Sequence, residues 1–405
     1  MILELSLVLG LTFAAALMPP RRVALLLGVI LPIDYLSVLD SITLDAMRYA
    51  LLAVLIVRVR RDRTLTGHPL FVLGIAGLVL VALFDVLKGA DGSAYTLQRG
   101  LIGLLSALAA FLVAQRSEVH KPLVRGFVLG VSASAIDVCL QVAGLPYAGA
   151  TSVYGFRYSG FSFKSTTLAP LLALAIVFVL TNWLWPAART RSDRWILMMR
   201  LTLLLPLGAA LYASQGRGGV LSLALALVFL LAVRFKGHPG RILTLGLVGV
   251  LVAWYLRSDI AALFVRPTED DLSNGRGSLN EEAWDAFTSS PVFGPPPAVL
   301  SGLNPHTPFL TFAIEAGILG LLVAVVLAVG LVRVVLTPER TGNALPVAVR
   351  CGALVMFTTS FLEPDGFYIG LARVVLLAVV LTTRPDAPAG TERNFEARRP
   401  IVEHV

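Results

Sequence analysis

Long apolar runs alternate with short polar stretches along almost the whole chain. A membrane-spanning helix takes roughly 20 apolar residues, because the hydrocarbon core of a bilayer is about 30 Å thick. The pattern predicts an all-α, polytopic helical membrane protein with about 12–13 transmembrane helices. The predicted spans are 2–18, 23–39, 44–57, 70–87, 97–114, 123–143, 166–183, 195–212, 218–233, 242–256, 308–335, 345–361 and 367–382. The second and third are weak, and one kinked hairpin is the alternative for that pair.

Composition supports the same class. Of 405 residues, 57% are hydrophobic and 14% are charged, and the mean hydropathy is +0.81, which excludes an ordinary soluble domain. We expect a single transmembrane domain over 1–383, with an extracytoplasmic loop at 257–305 inside it, and a disordered cytoplasmic tail at 384–405. The first apolar run leads directly into prolines, arginines and another span, which predicts a retained helix and no cleaved signal peptide.

The basic residues set the predicted orientation. Short cytoplasmic loops accumulate Lys and Arg, and the arginine-rich stretches alternate with arginine-poor loops. These stretches are 21–22, 58–63, 116–125, 189–200, 234–241, 333–340 and 384–399. We therefore assign them to the cytoplasm and read the net charge of +8 as a topology signal, with no nucleic-acid partner. Cys139 and Cys351 lie inside spans, so neither predicts a disulfide or a metal site.

On the predicted outer side, one histidine stands at the end of the polar loop. His306 precedes the span at 308–335, whereas His68, His120, His238 and His404 fall on the cytoplasmic side. Imidazole titrates near pH 6.5, so a neutral ring can take a proton from a hydroxyl. His306 is therefore a candidate general base. The alternative is a hydrogen bond at a helix start.

A glycine-rich turn, Ser214-Gln215-Gly216-Arg217-Gly218-Gly219, joins two predicted spans on the same side. Glycines allow close approach of the backbone, and the helix that follows presents free N–H groups and the positive end of its dipole. Together with Arg217 this predicts a phosphate cradle. The alternative is a tight turn whose arginine reaches the lipid headgroups.

A second candidate arginine, Arg276, precedes a predicted short helix. Ser278 and Glu281 form a capping-box pattern at its start, and Leu279, Trp284 and Phe287 are available to lie on the membrane interface. The surrounding loop carries more acidic than basic residues, so Arg276 is not part of a basic patch. Its alternative role is an ion pair with Glu269, Asp270 or Asp271.

Together these segments resemble the O-antigen ligase and O-antigen polymerase family of bacterial envelope enzymes. The resemblance covers about 158–336, and the first spans match in hydropathy only. It departs from the usual pattern at Gln215 and at Thr307-Pro308. The residues that carry it are Ser214 to Gly218, Arg276, Trp284, Pro291-Val292-Phe293-Gly294, Asn304-Pro305-His306, Phe309-Leu310 and Glu315-Ala316-Gly317, with Arg157-Tyr158-Ser159-Gly160-Phe161 upstream.

The resemblance implies a C-type glycosyltransferase fold and an enzyme without metal or cofactor. A glycan on undecaprenyl diphosphate would pass to the hydroxyl of a glycan or lipid-linked glycan acceptor, on the outer face of the bacterial cytoplasmic (inner) membrane. His306 would be the general base, and Arg217 and Arg276 would hold the diphosphate. Gly216, Gly218, Arg157 and Lys164 are further candidate donor ligands. For Arg157 and Lys164 the alternative is binding to lipid headgroups. One base and backside attack predict inversion at the anomeric carbon.

Other readings remain open. Ligase and polymerase share these residues, with a slight preference for a ligase. A metal-dependent enzyme would use Asp34 or Asp40 and the acidic run 269–271, which have no convincing ligand spacing. A transporter or flippase would need broken helices, internal repeats and charges near the midplane. Charges inside spans are costly and favour structural pairs; they are Arg48, Asp85, Asp137, Glu315, Arg350, Glu363 and Arg373.

Overall fold

The computed structural model describes residues 2–37, 39, 41–59, 69–89, 94–149, 158–162, 165–181, 194–235, 240, 276–296, 299, 303, 305–337, 346–363 and 371–383. Over these residues the chain is helical, apart from turns, short connections and an isolated antiparallel bridge between Leu36 and Leu39. The predicted all-α class is confirmed for this part of the chain.

The helices follow one another with short connections. They are α1 (Ile2–Leu17), α2 (Pro20–Ile30), α3 (Ser41–Arg58), α4 (Pro69–Gly89), α5 (Ala94–Ala114), a 3-10 turn (Ser117–Val119), α6 (His120–Val142), α7 (Ser165–Leu180), α8 (Arg194–Ser214), α9 (Arg217–Arg234), α10 (Arg276–Ser289), α11 (Pro308–Leu336), α12 (Val347–Leu362) and α13 (Leu371–Thr382).

Most predicted spans coincide with a helix to within a few residues, but the span 23–39 is wrong at its end. Helix α2 stops at Ile30, because Pro32 lacks the N–H that would continue the ladder. The N–H groups of Asp34 and Tyr35 donate instead to the carbonyl of Phe161, at 2.8 and 2.9 Å. The predicted span 242–256 and the tail 384–405 lie outside the described residues.

Four helices are long and apolar enough to cross a membrane: Pro69–Lys88, Ser117–Val142, Arg217–Arg234 and Pro308–Leu336. Shorter apolar helices of 10–17 residues accompany them within the described residues. Helix α2, with 11 residues, is about 16 Å long and cannot span the core alone. The structure supports a helical membrane protein.

Two helices form the centre of the bundle. All residues of α7 from Leu168 to Val179 are buried, and so are those of α13 from Val374 to Thr382. Helix α7 packs against α6, α8, α9 and α12, and α13 packs against α5 and α12. A helix that is apolar on every face needs neighbours on every side. Both central helices therefore carry no one-sided pattern in their sequence.

Close packing also depends on small residues. Gly126 and Gly130 in α6 lie against the carbonyls of Leu25 and Val29 in α2, where a Cβ would overlap with the backbone. Small residues spaced by four let two helices approach closely in a membrane protein, where apolar burial drives association weakly. This contact fixes α2 on α6.

Side-chain contacts divide the helix ends into two groups. At one end, which we call the arginine end, arginines bond the last carbonyls of neighbouring helices: Arg58 to Met18, Arg116 to Ile56 and Val59, and Arg350 to Val335. At the other, the motif end, lie the Arg217 turn, His306 and the connections at 31–37 and 158–162. The sequence predicts that arginine-rich and arginine-poor connections alternate. In the described helices they lie at two chemically different ends.

Candidate active site at the motif end

The first motif forms a tight turn between two helices. Helix α8 ends at Ser214, whose hydroxyl donates to Leu211 O at 2.8 Å, and α9 begins at Arg217. Gln215 adopts a left-handed conformation with φ +49°, and Gly216 is the N-cap without a side-chain hydrogen bond. The sequence prediction of a turn followed by a helix start is confirmed, and Arg217 is half-buried.

The glycines of this turn pack against other helices. A Cβ on Gly216 or Gly219 would overlap with Ala169 of α7, and a Cβ on Gly218 would meet the carboxylate of Glu363 at 2.5 Å. The space beside Gly216 and Gly218 is therefore occupied by protein atoms. Their assignment as donor ligands stays a prediction.

The second motif begins α11. Thr307 is the N-cap, and its hydroxyl accepts a hydrogen bond from Phe309 N at 3.2 Å, while Pro308 occupies the first helical turn. Proline fits there because no N–H is needed. His306 comes directly before this cap, is partly exposed, and its Nδ1 is buried. Thr307 and Pro308, where this chain differs from the usual family pattern, therefore form a regular helix start.

The third motif is linked to the second. Helix α10 begins at Arg276, so Ser278 and Glu281 lie inside the helix and the predicted start at Ser278 is wrong by two residues. Within α10, Asn280 Oδ1 accepts from His306 N at 2.8 Å. This bond joins the helix that carries Arg276 to the residue proposed as the base. The side chain of Arg276 lies outside the description.

Helix α10 also packs on α11. Ala283 and Phe287 form a small core with Ala313 and Ile314, whereas Trp284 is 50% exposed. The expectation that Phe287 lies on the membrane interface is wrong, because Ala313 and Ile314 cover it. The exposed Trp284 stays available for the membrane interface. The centroid of its ring lies 5.5 Å from that of Phe287.

A break in α11 positions the loop between these motifs. Ala316 and Gly317 have non-helical backbone angles, and Gly317 has φ +62° and ψ −145°. Of the groups freed there, Ile318 N donates to Pro291 O at 2.8 Å, and Glu315 O accepts from Lys88 Nζ at 2.5 Å. Lys88 also reaches Pro295 O at 3.4 Å. The Pro291 to Gly294 and Glu315 to Gly317 motifs thus form one structural unit.

The motif segments meet around the end of α12. The ring of Phe309, three residues after His306, lies 5.0 Å from that of Phe361 in α12. Two residues later, Glu363 contacts Gly218, next to Arg217. Nearby, Tyr158 N, adjacent to Arg157 in sequence, donates to Ala213 O at 3.5 Å. Segments from distant parts of the chain therefore surround one helix end.

Other charges at this end have structural roles. Arg48 bonds Asp34 at 3.1 Å, Asp45 at 2.6 Å and Ile30 O at 3.3 Å. Burial raises the pKa of the Asp34 carboxyl in its loop, and the charges of Arg48 and Arg373 oppose that rise. Asp137 accepts from Gln141 at 2.6 Å and from Ala148 N at 2.8 Å. The structural-pair reading of Arg48 and Asp137 is confirmed.

Several predicted site groups fall outside the description: Arg157, Lys164, Asp40, Glu269, Asp270 and Asp271. Within the described part of the chain, no three His, Cys, Asp or Glu side chains group as metal ligands. Sequence reasoning gave no specific role to Asn280, Lys88 or Glu363. Lys88 and Glu363 could have been noticed, because a charged residue at the end of an apolar run is rare. Nothing in the sequence distinguishes Asn280.

No family model matches this chain, and no curated protein matches it.

Proposed function

We propose that this protein is a metal-independent, inverting glycosyltransferase of the O-antigen ligase type. It would transfer a glycan from undecaprenyl diphosphate to an acceptor hydroxyl on the outer face of a bacterial cytoplasmic membrane. The observation that carries the proposal is the grouping of the Arg217 turn and the His306 segment around the end of α12, with the Arg276 helix bonded to the His306 segment through Asn280.

In the proposed reaction, the acceptor oxygen forms a bond to the anomeric carbon while the bond to the diphosphate oxygen breaks. His306 accepts the proton of the hydroxyl, and the electron pair of the breaking bond leaves with the diphosphate. Guanidinium groups stabilise the developing charge bidentately without changing protonation state. Arg217 and Arg276 take this role, and attack opposite the leaving group inverts the carbon.

The test is transfer by purified protein in nanodiscs, with undecaprenyl-diphosphate-linked glycan and excess chelator. We expect His306→Ala and Arg217→Ala to slow transfer by orders of magnitude, since losing one preorganised charge stabiliser costs about 3 kcal/mol. Arg234→Ala is the matched control, because Arg234 ends the same helix at the arginine end. Loss of transfer in chelator favours the metal-dependent alternative, and active variants at 217 and 306 refute the site.

A polymerase of lipid-linked repeat units would use the same residues, and the products separate the two. A polymerase lengthens the glycan on its lipid carrier, whereas a ligase moves it to a different acceptor. An assay with lipid-linked repeat units as the only substrate therefore distinguishes the two activities. Growth of the lipid-linked chain in this assay favours the polymerase.

One observation favours a transporter or flippase, namely the break in α11 close to Glu315 and Lys88. Broken helices in transporters present backbone groups to substrate. Here Ile318 N and Glu315 O are bonded to Pro291 and Lys88, so the enzyme is the better reading. Movement of lipid-linked glycan across the bilayer without bond cleavage would reverse this preference.

A further inference from the structure

A buried carboxylate lies against the turn that carries Arg217. Glu363 follows the last residue of α12, is 5% exposed, and donates its backbone N–H to Thr359 O at 2.9 Å. A Cβ built on Gly218 would lie 2.5 Å from Oε1 and 3.2 Å from Cδ of Glu363. The carboxylate thus rests on the backbone of the first turn of α9.

Packing deeper in the bundle holds this arrangement in register. Ser222 Oγ and Thr359 Oγ1 are buried and 3.1 Å apart. Ser222 lies one turn after Gly218 in α9, and Thr359 lies one turn before Glu363 in α12. The hydrogen bond between them therefore aligns the two helices so that Glu363 reaches Gly218, and only glycine leaves room for the carboxylate.

Electrostatics favour an anion at this point. The N-cap of α9, Gly216, makes no side-chain cap, and a negative group near the first turn is stabilised by the free N–H groups and the helix dipole. Arg217 precedes Gly218 and carries the opposite charge. A guanidinium has five N–H donors in a planar fork, so it can bond a carboxylate on one edge and a phosphate on another.

We propose that Glu363 is a positioning residue for Arg217, whose guanidinium it holds towards the donor diphosphate. The inference rests on the proposed glycosyltransferase function. Phe361, which contacts Phe309 at 5.0 Å between ring centroids, ties the same helix end to the His306 segment. Glu363 would therefore keep the charge stabiliser in register with the base.

The sign of the expected effect follows from the charge of Glu363. A carboxylate near the diphosphate opposes anion binding, so neutralising it leaves donor affinity unchanged or raises it. Orientation of Arg217 is lost, however, and misplacement of a catalytic group by about 1 Å can cost about 100-fold. For Glu363→Gln we expect kcat to fall about 10–100-fold, with the donor KM unchanged or lower.

The experiment is a double-mutant cycle with Glu363→Gln and Arg217→Lys in nanodiscs, with kcat expressed per folded protein. If Glu363 acts through the planar guanidinium, its substitution should have little further effect on kcat in the Arg217→Lys background. Thr358→Ala is the packing control, since it removes a half-buried hydroxyl of α12 that bonds Leu354 O and Val355 O within its own helix, and it removes no charge. We expect it to leave kcat within about 3-fold of wild type.

The outcomes separate the two proposals. If wild type transfers glycan and Glu363→Gln has the same kcat, the positioning role is wrong and the proposed function stands. The same holds if the effects of Glu363→Gln and Arg217→Lys on kcat simply multiply in the double variant. An equal fall in kcat for Thr358→Ala and Glu363→Gln also overturns it in favour of packing. If wild type neither transfers glycan nor binds undecaprenyl diphosphate, the proposed function fails, and the inference fails with it.

Discussion

The side-chain oxygen of Asn280 accepts a hydrogen bond from the backbone N–H of His306, with 2.8 Å between oxygen and nitrogen. The two residues are 26 positions apart, and the bond connects α10 to the start of α11. His306 directly precedes Thr307, the N-cap of α11. Its backbone is therefore held by Asn280 at the N–H and by the helix start at the next residue. The orientation of the proposed base therefore depends on a residue of the helix that begins with Arg276.

Replacing Asn280 tests this connection. Asn280→Ala should lower transfer about 10-fold, because the partly buried N–H of His306 loses its acceptor and the segment loosens. It should also reduce stability by about 1 kcal/mol. Asn280→Asp keeps an acceptor oxygen and should retain most of the activity. Steady-state transfer measures the activity of each variant, and the melting temperature in detergent measures its stability. Equal losses for the two variants would contradict the role of the acceptor.

The second prediction concerns Lys88, which bonds the carbonyls of Glu315 and Pro295. Lys88→Met keeps the length of the side chain but leaves the carbonyl at the helix break without its charged donor. We expect a loss of about 1.5–3 kcal/mol in stability, the usual contribution of a hydrogen bond to a charged group. Thermal unfolding measures it, and a Lys88→Met variant as stable as wild type would show that the bond contributes nothing.

Gly317 provides the third prediction. Its backbone angles, φ +62° and ψ −145°, belong to a region open almost only to glycine, and a Cβ would overlap with Val292 O. Gly317→Ala should cost about 2 kcal/mol or more. The matched control is Gly208→Ala in α8, where a Cβ meets nothing within 4 Å. That change should be neutral or stabilise by up to about 1 kcal/mol.

Gln215 gives a prediction of the opposite sign. It follows the last residue of α8 and has φ +49°, a left-handed conformation that costs a non-glycine residue roughly 1 kcal/mol. Gln215→Gly should therefore raise stability by about 0.5–1 kcal/mol. Gln215→Ala, which keeps the Cβ, should give no gain. If both variants melt at the temperature of wild type, the turn carries no such strain.

Most of the helices could be predicted because apolar length alone defines them. Two predicted boundaries failed, the end of α2 and the start of α10. Helix α2 stops at Ile30 because Pro32 cannot continue the helical hydrogen bonds, and the N–H groups of Asp34 and Tyr35 then bond Phe161 O. Helix α10 begins at Arg276 although Ser278 and Glu281 offer a capping box. Pro32 was a local signal that the sequence contained, whereas the position of Phe161 beside the end of α2 depends on helix packing and cannot be obtained from one sequence.

The sequence by itself determined the all-α class, the alternation of basic and motif-bearing helix ends, and the choice of Arg217 and His306 as candidate residues. These follow from hydropathy, charge and residue chemistry, which act locally along the chain. Only the tertiary structure decided that Asn280 holds His306, that Lys88 bonds the broken α11, and that Glu363 lies on Gly218. These relationships join residues about 26 to 230 positions apart, so they arise from helix packing and leave no local pattern.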